Sequence, residues 1–392
     1  MSCLQAPWRV VLLVCVLACS ALGAAKNAAT APLTQAVSFP SQEPGVILQA
    51  YWTPPPDGPA QAPAVVALHG CDGLGRDRRW LNNSQSRYIR IFHDAGFGSL
   101  YVDSLGPRGQ TSLCAQKPAE RSLTEANRRL DVLAALQWLS TQPGVNPAKL
   151  VVVGWSHGGQ TVLASADSRA EVVVKAPVKP AALVAFYPGC RAFDQQPYDT
   201  LVAPLLVMSG ELDNWTPAAA CRRFTDRLLA YHQPVRYVQY PDSYHAFDSA
   251  GPVTERHNVG GTRSGSAMAG GNPAARTASA IEMMQFLGRQ LGFEPDLSLL
   301  DDTVHATAVP APSGFAALTD VNQLPHVSEA GKALYREWLT KPFPRAVALS
   351  TRGSLARAYG RNAMDSAVKN CERFGQPCRL YAVDDQVVWV SN

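Results

Sequence analysis

The chain has 392 residues, of which 46% are hydrophobic and 17% charged, with a formal net charge of +4. That length suits one large domain plus a small one, and the slight, dispersed positive charge argues against a nucleic-acid partner. No internal repeat stands out.

Residues 1–23 read as a secretory signal. Arg9 supplies the positive start, residues 10–18 form an apolar run, and Ala21-Leu22-Gly23 has the small-x-small form of a cleavage site. The run is short and is followed by Ser20 and Gly23, so no stable membrane span is expected. Val16-Leu17-Ala18-Cys19 is also similar to a bacterial lipobox, which gives the alternative of a lipoprotein anchored through Cys19. Export makes the cysteines informative. Of nine, Cys3, Cys15 and Cys19 fall in the signal; the rest are Cys71, Cys114, Cys190, Cys221, Cys371 and Cys378. An even set in an exported chain points to disulfides and to a periplasmic or secreted protein.

A small-residue spacer (24–36) precedes a catalytic domain expected over 37–295. Residues 46–52 alternate as an early strand, and 64–68 form a short buried one. It runs into His69-Gly70-Cys71-Asp72-Gly73, where Gly70 and Gly73 permit close backbone approach to a substrate. The Cys71 N–H is a candidate oxyanion donor, and His69 is expected to brace the loop. Residues 80–95 suit an amphipathic helix and 97–104 a buried strand. Ser122-Leu123-Thr124-Glu125 reads as a capping box opening a helix through Leu139. After the segment 149–160 come buried strands at 181–186 and 205–209, a helix over 218–232, a last strand at 235–240, a glycine-rich stretch (251–271) without periodicity, and a helix from Pro273 to Leu291.

The segment 149–160 organises the rest. Four apolar residues, Leu150-Val151-Val152-Val153, lead into Gly154-Trp155-Ser156-His157-Gly158 and then into a helix-forming run. A Gly-x-Ser-x-Gly turn between a buried strand and a helix is a nucleophile elbow, with the N–H of His157 as a second oxyanion donor. A serine hydroxyl needs a base to take its proton. His245 follows the last strand in an aromatic-rich loop and is the candidate; His157 is expected to point away and line the entrance. Asp213, after the strand 205–209, is the candidate acid that orients the imidazole, with Glu211 and Asp242 as rivals. Strands and helices alternate throughout, which predicts an α/β fold with a mostly parallel, doubly wound sheet.

The order Ser156, Asp213, His245 is that of the α/β-hydrolases. With His69-Gly70-Cys71-Asp72-Gly73, Gly210-Glu211-Leu212-Asp213 and Tyr244-His245-Ala246-Phe247, the chain resembles their dienelactone hydrolase-like branch over about residues 37–292. The name-giving members carry a cysteine at the elbow where this chain has Ser156, so the resemblance implies a serine esterase. Gly154-Trp155-Ser156-His157-Gly158-Gly159 is also similar to the elbow of secreted cutinase- and polyester-hydrolase-type enzymes. The resemblance further implies that Cys71 pairs with Cys114 and Cys190 with Cys221.

Residues 296–392 have a different texture: a helix over 327–339, strands at 345–350 and 355–359, a helix over 362–374, and a hairpin of 378–383 with 387–390. Cys371 and Cys378 are placed to staple helix to strand. This small α+β module is similar to cysteine-paired modules at the C-terminus of exported bacterial proteins, and it carries no catalytic constellation. The reading is an exported serine hydrolase cleaving a carboxylic ester or lactone, small or polymeric, through an acyl-enzyme. No cofactor or metal is implied. A serine peptidase and a catalytically silent binding protein are the alternatives. The sequence leaves acyl-chain preference and oligomeric state open.

Overall fold

The computed structural model describes residues 34–56, 61–74, 83–196, 198–300, 310–341, 345–359 and 363–390. The signal segment, Cys19 and the expected helix start at 80–82 lie outside them. An eight-stranded sheet is built from β1 (Gln35–Pro40), β2 (Ile47–Thr53), β3 (Ala62–Leu68), β4 (Gly98–Asp103), β5 (Val145–Trp155), β6 (Ala182–Phe186), β7 (Leu205–Gly210) and β8 (Val235–Tyr240). Their order is β1-β2-β4-β3-β5-β6-β7-β8. The β1–β2 and β2–β4 pairs are antiparallel and all later pairs parallel.

The helices are α1 (Asn83–Asp94), α2 (Glu125–Leu139), α3 (His157–Ala166), α4 (Glu171–Val174), α5 (Arg191–Gln195), α6 (Ala218–Ala230) and α7 (Pro273–Leu291). Every residue of β4, β6 and β7 is buried, as a parallel sheet covered on both faces requires. Alternate residues of β3 serve opposite cores: Ala64, Val66 and Leu68 pack with Val132, Val162 and Phe224 from α2, α3 and α6. Val65 and Ala67 pack with Phe92, Met283 and Leu287 from α1 and α7.

Three strands beyond the sequence reading emerge. In β1 only Phe39 is buried, so no alternation marks it. The glycine-rich stretch folds a hairpin of β9 (Thr254–His257) and β10 (Ser266–Ala269); every residue of β9 is exposed, which again leaves no pattern to read. The cap of α2 lies two residues later than expected. Thr124 accepts from the Asn127 N–H while Asn127 Oδ1 accepts from the Thr124 N–H at 3.1 Å, and the Ser122 hydroxyl instead accepts from Gln110.

The C-terminal sheet is separate: α8 (Glu329–Trp338), β11 (Arg345–Ser350), β12 (Leu355–Tyr359), α9 (Ala363–Glu372), β13 (Cys378–Val383) and β14 (Gln386–Val387), with strand order β12-β11-β13-β14. Tyr335 and Trp338 of α8 cover one face with Val347 and Tyr381; Ala367 and Cys371 of α9 cover the other with Ala346 and Ala348. All three expected disulfides are formed: Cys71–Cys114, Cys190–Cys221 and Cys371–Cys378.

Candidate active site

The site sits at the carboxyl edge of the parallel strands, where open α/β sheets place their ligands. β5 ends at Trp155 and α3 begins at His157. Ser156 alone makes the turn, at φ 53° and ψ −114°, a conformation costly for a side-chain-bearing residue. Its N–H is held by the Phe186 carbonyl at 2.9 Å. The motif glycines are needed because backbones cross. A Cβ on Gly154 would lie 2.3 Å from the Gly158 carbonyl oxygen, and one on Gly158 would lie 2.2 Å from that of Leu68.

Asp213 follows β7 and His245 follows β8. His245 Nε2 is 3.0 Å from Ser156 Oγ, and its Nδ1 is 2.8 Å from Asp213 Oδ2. The other carboxylate oxygen accepts from the N–H groups of Trp215 and Thr216, at 2.9 and 2.8 Å. Thr216 Oγ1 donates to Asp213 Oδ2 at 2.9 Å and lies 3.0 Å from His245 Nδ1. The His245 ring is flanked by Tyr187 edge-on and Trp215 tilted, both with centroids at 4.7 Å. The three predicted residues therefore form one hydrogen-bonded row. The rival acids do not join it: the Glu211 carboxylate accepts from the Asp242 N–H.

The loop after β3 approaches the elbow from the other side. A Cβ on Gly70 would lie 3.5 Å from that of Ser156. Among the described residues, neither the Cys71 nor the His157 backbone N–H reaches a protein acceptor. The Cys71–Cys114 bridge anchors this loop to the segment after β4. His69 is buried, with Nδ1 donating to the Gly70 carbonyl at 2.7 Å and Nε2 accepting from the Ser104 N–H at 3.2 Å, so it braces the loop as expected. Burial, then the Arg128 charge, hold its pKa well below the usual histidine range.

The His157 side chain corrects the sequence reading. It is 1% exposed and lies against α2, not at the entrance, because the first turn of α3 aims it inward. Burial and the Arg128 charge also depress its pKa strongly.

The cleft over Ser156 has a volume of about 680 Å³, and its aromatic lining includes Tyr88, Tyr101, Trp155 and Tyr187. Beneath them lies Asp248, 1% exposed, which accepts from Tyr88 Oη, Trp155 Nε1 and Tyr187 Oη at 2.9, 2.9 and 2.7 Å. Burial raises both tyrosine hydroxyls well above their usual pKa, and Asp248 adds to it, so both remain donors. Among the described residues no three His, Cys, Asp or Glu side chains are grouped to hold a metal ion.

A model of the dienelactone hydrolase family matches residues 48–291, more than half of the chain. The chain belongs to the dienelactone hydrolase family. As a member with serine at the elbow it is a serine hydrolase of ester bonds. Two uncharacterised proteins of Mycobacterium tuberculosis, from strains CDC 1551 and H37Rv, are each 28% identical to it over 213 residues, 51% of this chain and 69% of theirs. Among solved structures, a metagenomic dienelactone hydrolase-like promiscuous phosphotriesterase shares the fold, with a TM-score of 0.51 at 19% identity over 67% of this chain and 99% of its own. A dienelactone hydrolase assigned in Klebsiella pneumoniae aligns at 17% identity with a TM-score of 0.49, over 66% of this chain and all of its own.

Four residues of this dienelactone hydrolase-family site escape the sequence reading: Arg128, Tyr187, Thr216 and Asp248. Asp248 stands three residues after His245 and Thr216 three after Asp213, so proximity to the triad candidates was the available signal. Arg128 sits within a helix whose apolar spacing accounts for its neighbours, and nothing local singles it out.

Proposed function

We propose that this protein is an exported serine esterase acting on small carboxylic esters or lactones, with Ser156, His245 and Asp213 as its catalytic triad. The observation that carries the reading is the row Ser156 Oγ, His245 Nε2, His245 Nδ1, Asp213 Oδ2, with contacts of 3.0 and 2.8 Å. In the reaction Ser156 Oγ bonds to the ester carbonyl carbon as His245 Nε2 takes its proton, and the carbonyl electron pair moves onto oxygen. The Cys71 and His157 N–H groups receive that oxyanion. On collapse the bond to the leaving alkoxide breaks, and the alkoxide takes the proton from His245. Water then repeats the sequence on the acyl-enzyme, releasing the acid and freeing Ser156. Asp213 holds the Nδ1–H tautomer, and the imidazolium it stabilises exists only while the proton is in transit.

Residues 1–23 serve as the signal and 24–36 as a spacer. Three disulfides fit an extracellular location, and no helix among the described residues is long and apolar enough to cross a membrane. Lipidation at Cys19 is the alternative destination. The catalytic domain spans about 37–295, and the small α+β module follows it over 296–392.

The test is hydrolysis of p-nitrophenyl esters from acetate to decanoate beside Ser156→Ala. The variant is expected to lose turnover by about 10⁴-fold or more with its melting temperature nearly unchanged. Retained activity in Ser156→Ala would overturn the mechanism.

A further inference from the structure

Arg128 lies in α2 and is wholly buried. Its Nη2 donates to the His69 carbonyl oxygen at 2.9 Å, in the loop that carries the Cys71 N–H. Its Nη1 lies 3.0 Å from His157 Nδ1, on the residue that carries the other candidate oxyanion donor. An arginine can only donate, so Nδ1 accepts and the His157 proton sits on Nε2, which faces Glu125 Oε2 at 3.9 Å. One guanidinium thus ties the backbone of the first donor's loop to the side chain of the residue that carries the second donor.

Stability does not account for this arrangement. Arg128 Nε and His157 Nε2 have no hydrogen-bond partner among the described residues, and burying a guanidinium with a donor unmade is a net cost that an apolar side chain of similar volume would avoid. Asp131, Asp103 and Asp72 favour its charge from nearby, but Asp131 is engaged bidentately by Arg108 at 2.9 and 3.0 Å. Burial lowers the Arg128 pKa only to about 10, so the group stays charged at neutral pH. A positive charge in a water-poor site behind the two donors favours negative charge in front of them.

We infer that Arg128 is a positioning residue for the oxyanion hole, fixing the spacing of the Cys71 and His157 N–H groups through the His69 carbonyl and the His157 ring. The inference rests on the triad reading above. Its effect belongs to the transition state, because the ground-state ester does not carry the developing charge.

Arg128→Met removes both bonds and the charge; Arg128→Lys keeps the charge and spans only one partner. Rates are normalised to active sites counted with a fluorophosphonate probe, so that a poorly folded fraction does not register. Both variants are expected to lower kcat by about 10- to 100-fold, part of the 10²–10³ that a whole oxyanion donor supplies, with KM within about two-fold of the parent. Affinity for a trifluoromethyl ketone, which Ser156 converts to an oxyanion, should fall by the same factor. Should Arg128→Met fail to fold, Arg128→Lys carries the test. A kcat per active site and a ketone affinity equal to the parent's would assign Arg128 a purely structural role and overturn the inference. A parent that the probe does not label at Ser156 would overturn the triad reading and this inference with it.

Discussion

At the scale of single residues the site is built by crowding. Ser156 is held at a costly backbone conformation by neighbours that leave no room for side chains at Gly154 and Gly158. His245 is fixed between Tyr187 and Trp215, and its acid partner is saturated with donors. Thr216 is the group here whose removal is cleanest, since valine keeps its shape. Thr216→Val takes away a hydroxyl worth about 1 kcal/mol, and kcat on a p-nitrophenyl ester is expected to fall by about five-fold with KM unchanged, measured against parent enzyme at neutral pH. Ser156, Asp213 and the loop of Cys71 were legible because each follows a buried apolar strand with a recognisable turn after it, and His245 because it stands in an aromatic-rich loop after the last, half-buried strand. Tyr187 and Asp248 were not, because their partners lie in other elements and a hydrogen bond across 61 residues, as between Tyr187 and Asp248, leaves no local pattern; Thr216 had only its place three residues after Asp213 to mark it.

At the scale of elements, the buried parallel strands and amphipathic helices followed from periodicity; of the three missed strands, β1 and β9 bury almost nothing, and β10, with two buried residues, is only four residues long. The loops around the cleft depend on covalent ties. Cys71–Cys114 spans 43 residues and Cys371–Cys378 spans 7. Loop-closure entropy assigns them about 4 and about 2.5 kcal/mol, but their functional weight differs more than that. The double replacement Cys71→Ser with Cys114→Ser frees the loop bearing the Cys71 N–H and is expected to depress ester turnover along with thermal stability. Cys371→Ser with Cys378→Ser is expected to lower stability and leave kcat and KM at the parent's values. Equal kinetic effects of the two pairs would refute this assignment.

For the whole molecule, two buried histidines contribute to the response to acid. His69 and His157 both have folded-state pKa values well below 6.5. The unfolded chain therefore takes up protons below pH 6.5 that the folded chain refuses, so their contribution is present above that pH and lost as pH falls. Unfolding free energy is expected to decline from pH 7 to pH 5, each histidine adding a slope of up to about 1.4 kcal/mol per pH unit. Chemical denaturation across that range should show a shallower decline for His157→Gln than for the parent; identical slopes would remove His157 from the account. Ser156 stands at the end of the central strand, whereas Asp213 and His245 arrive on β7 and β8, the outermost strands on the far side. A chain synthesised amino end first therefore completes the Ser156 elbow before the segments that carry Asp213 and His245. On the proposed triad, hydrolytic competence is acquired only when the final parallel pairing, β7 with β8, closes.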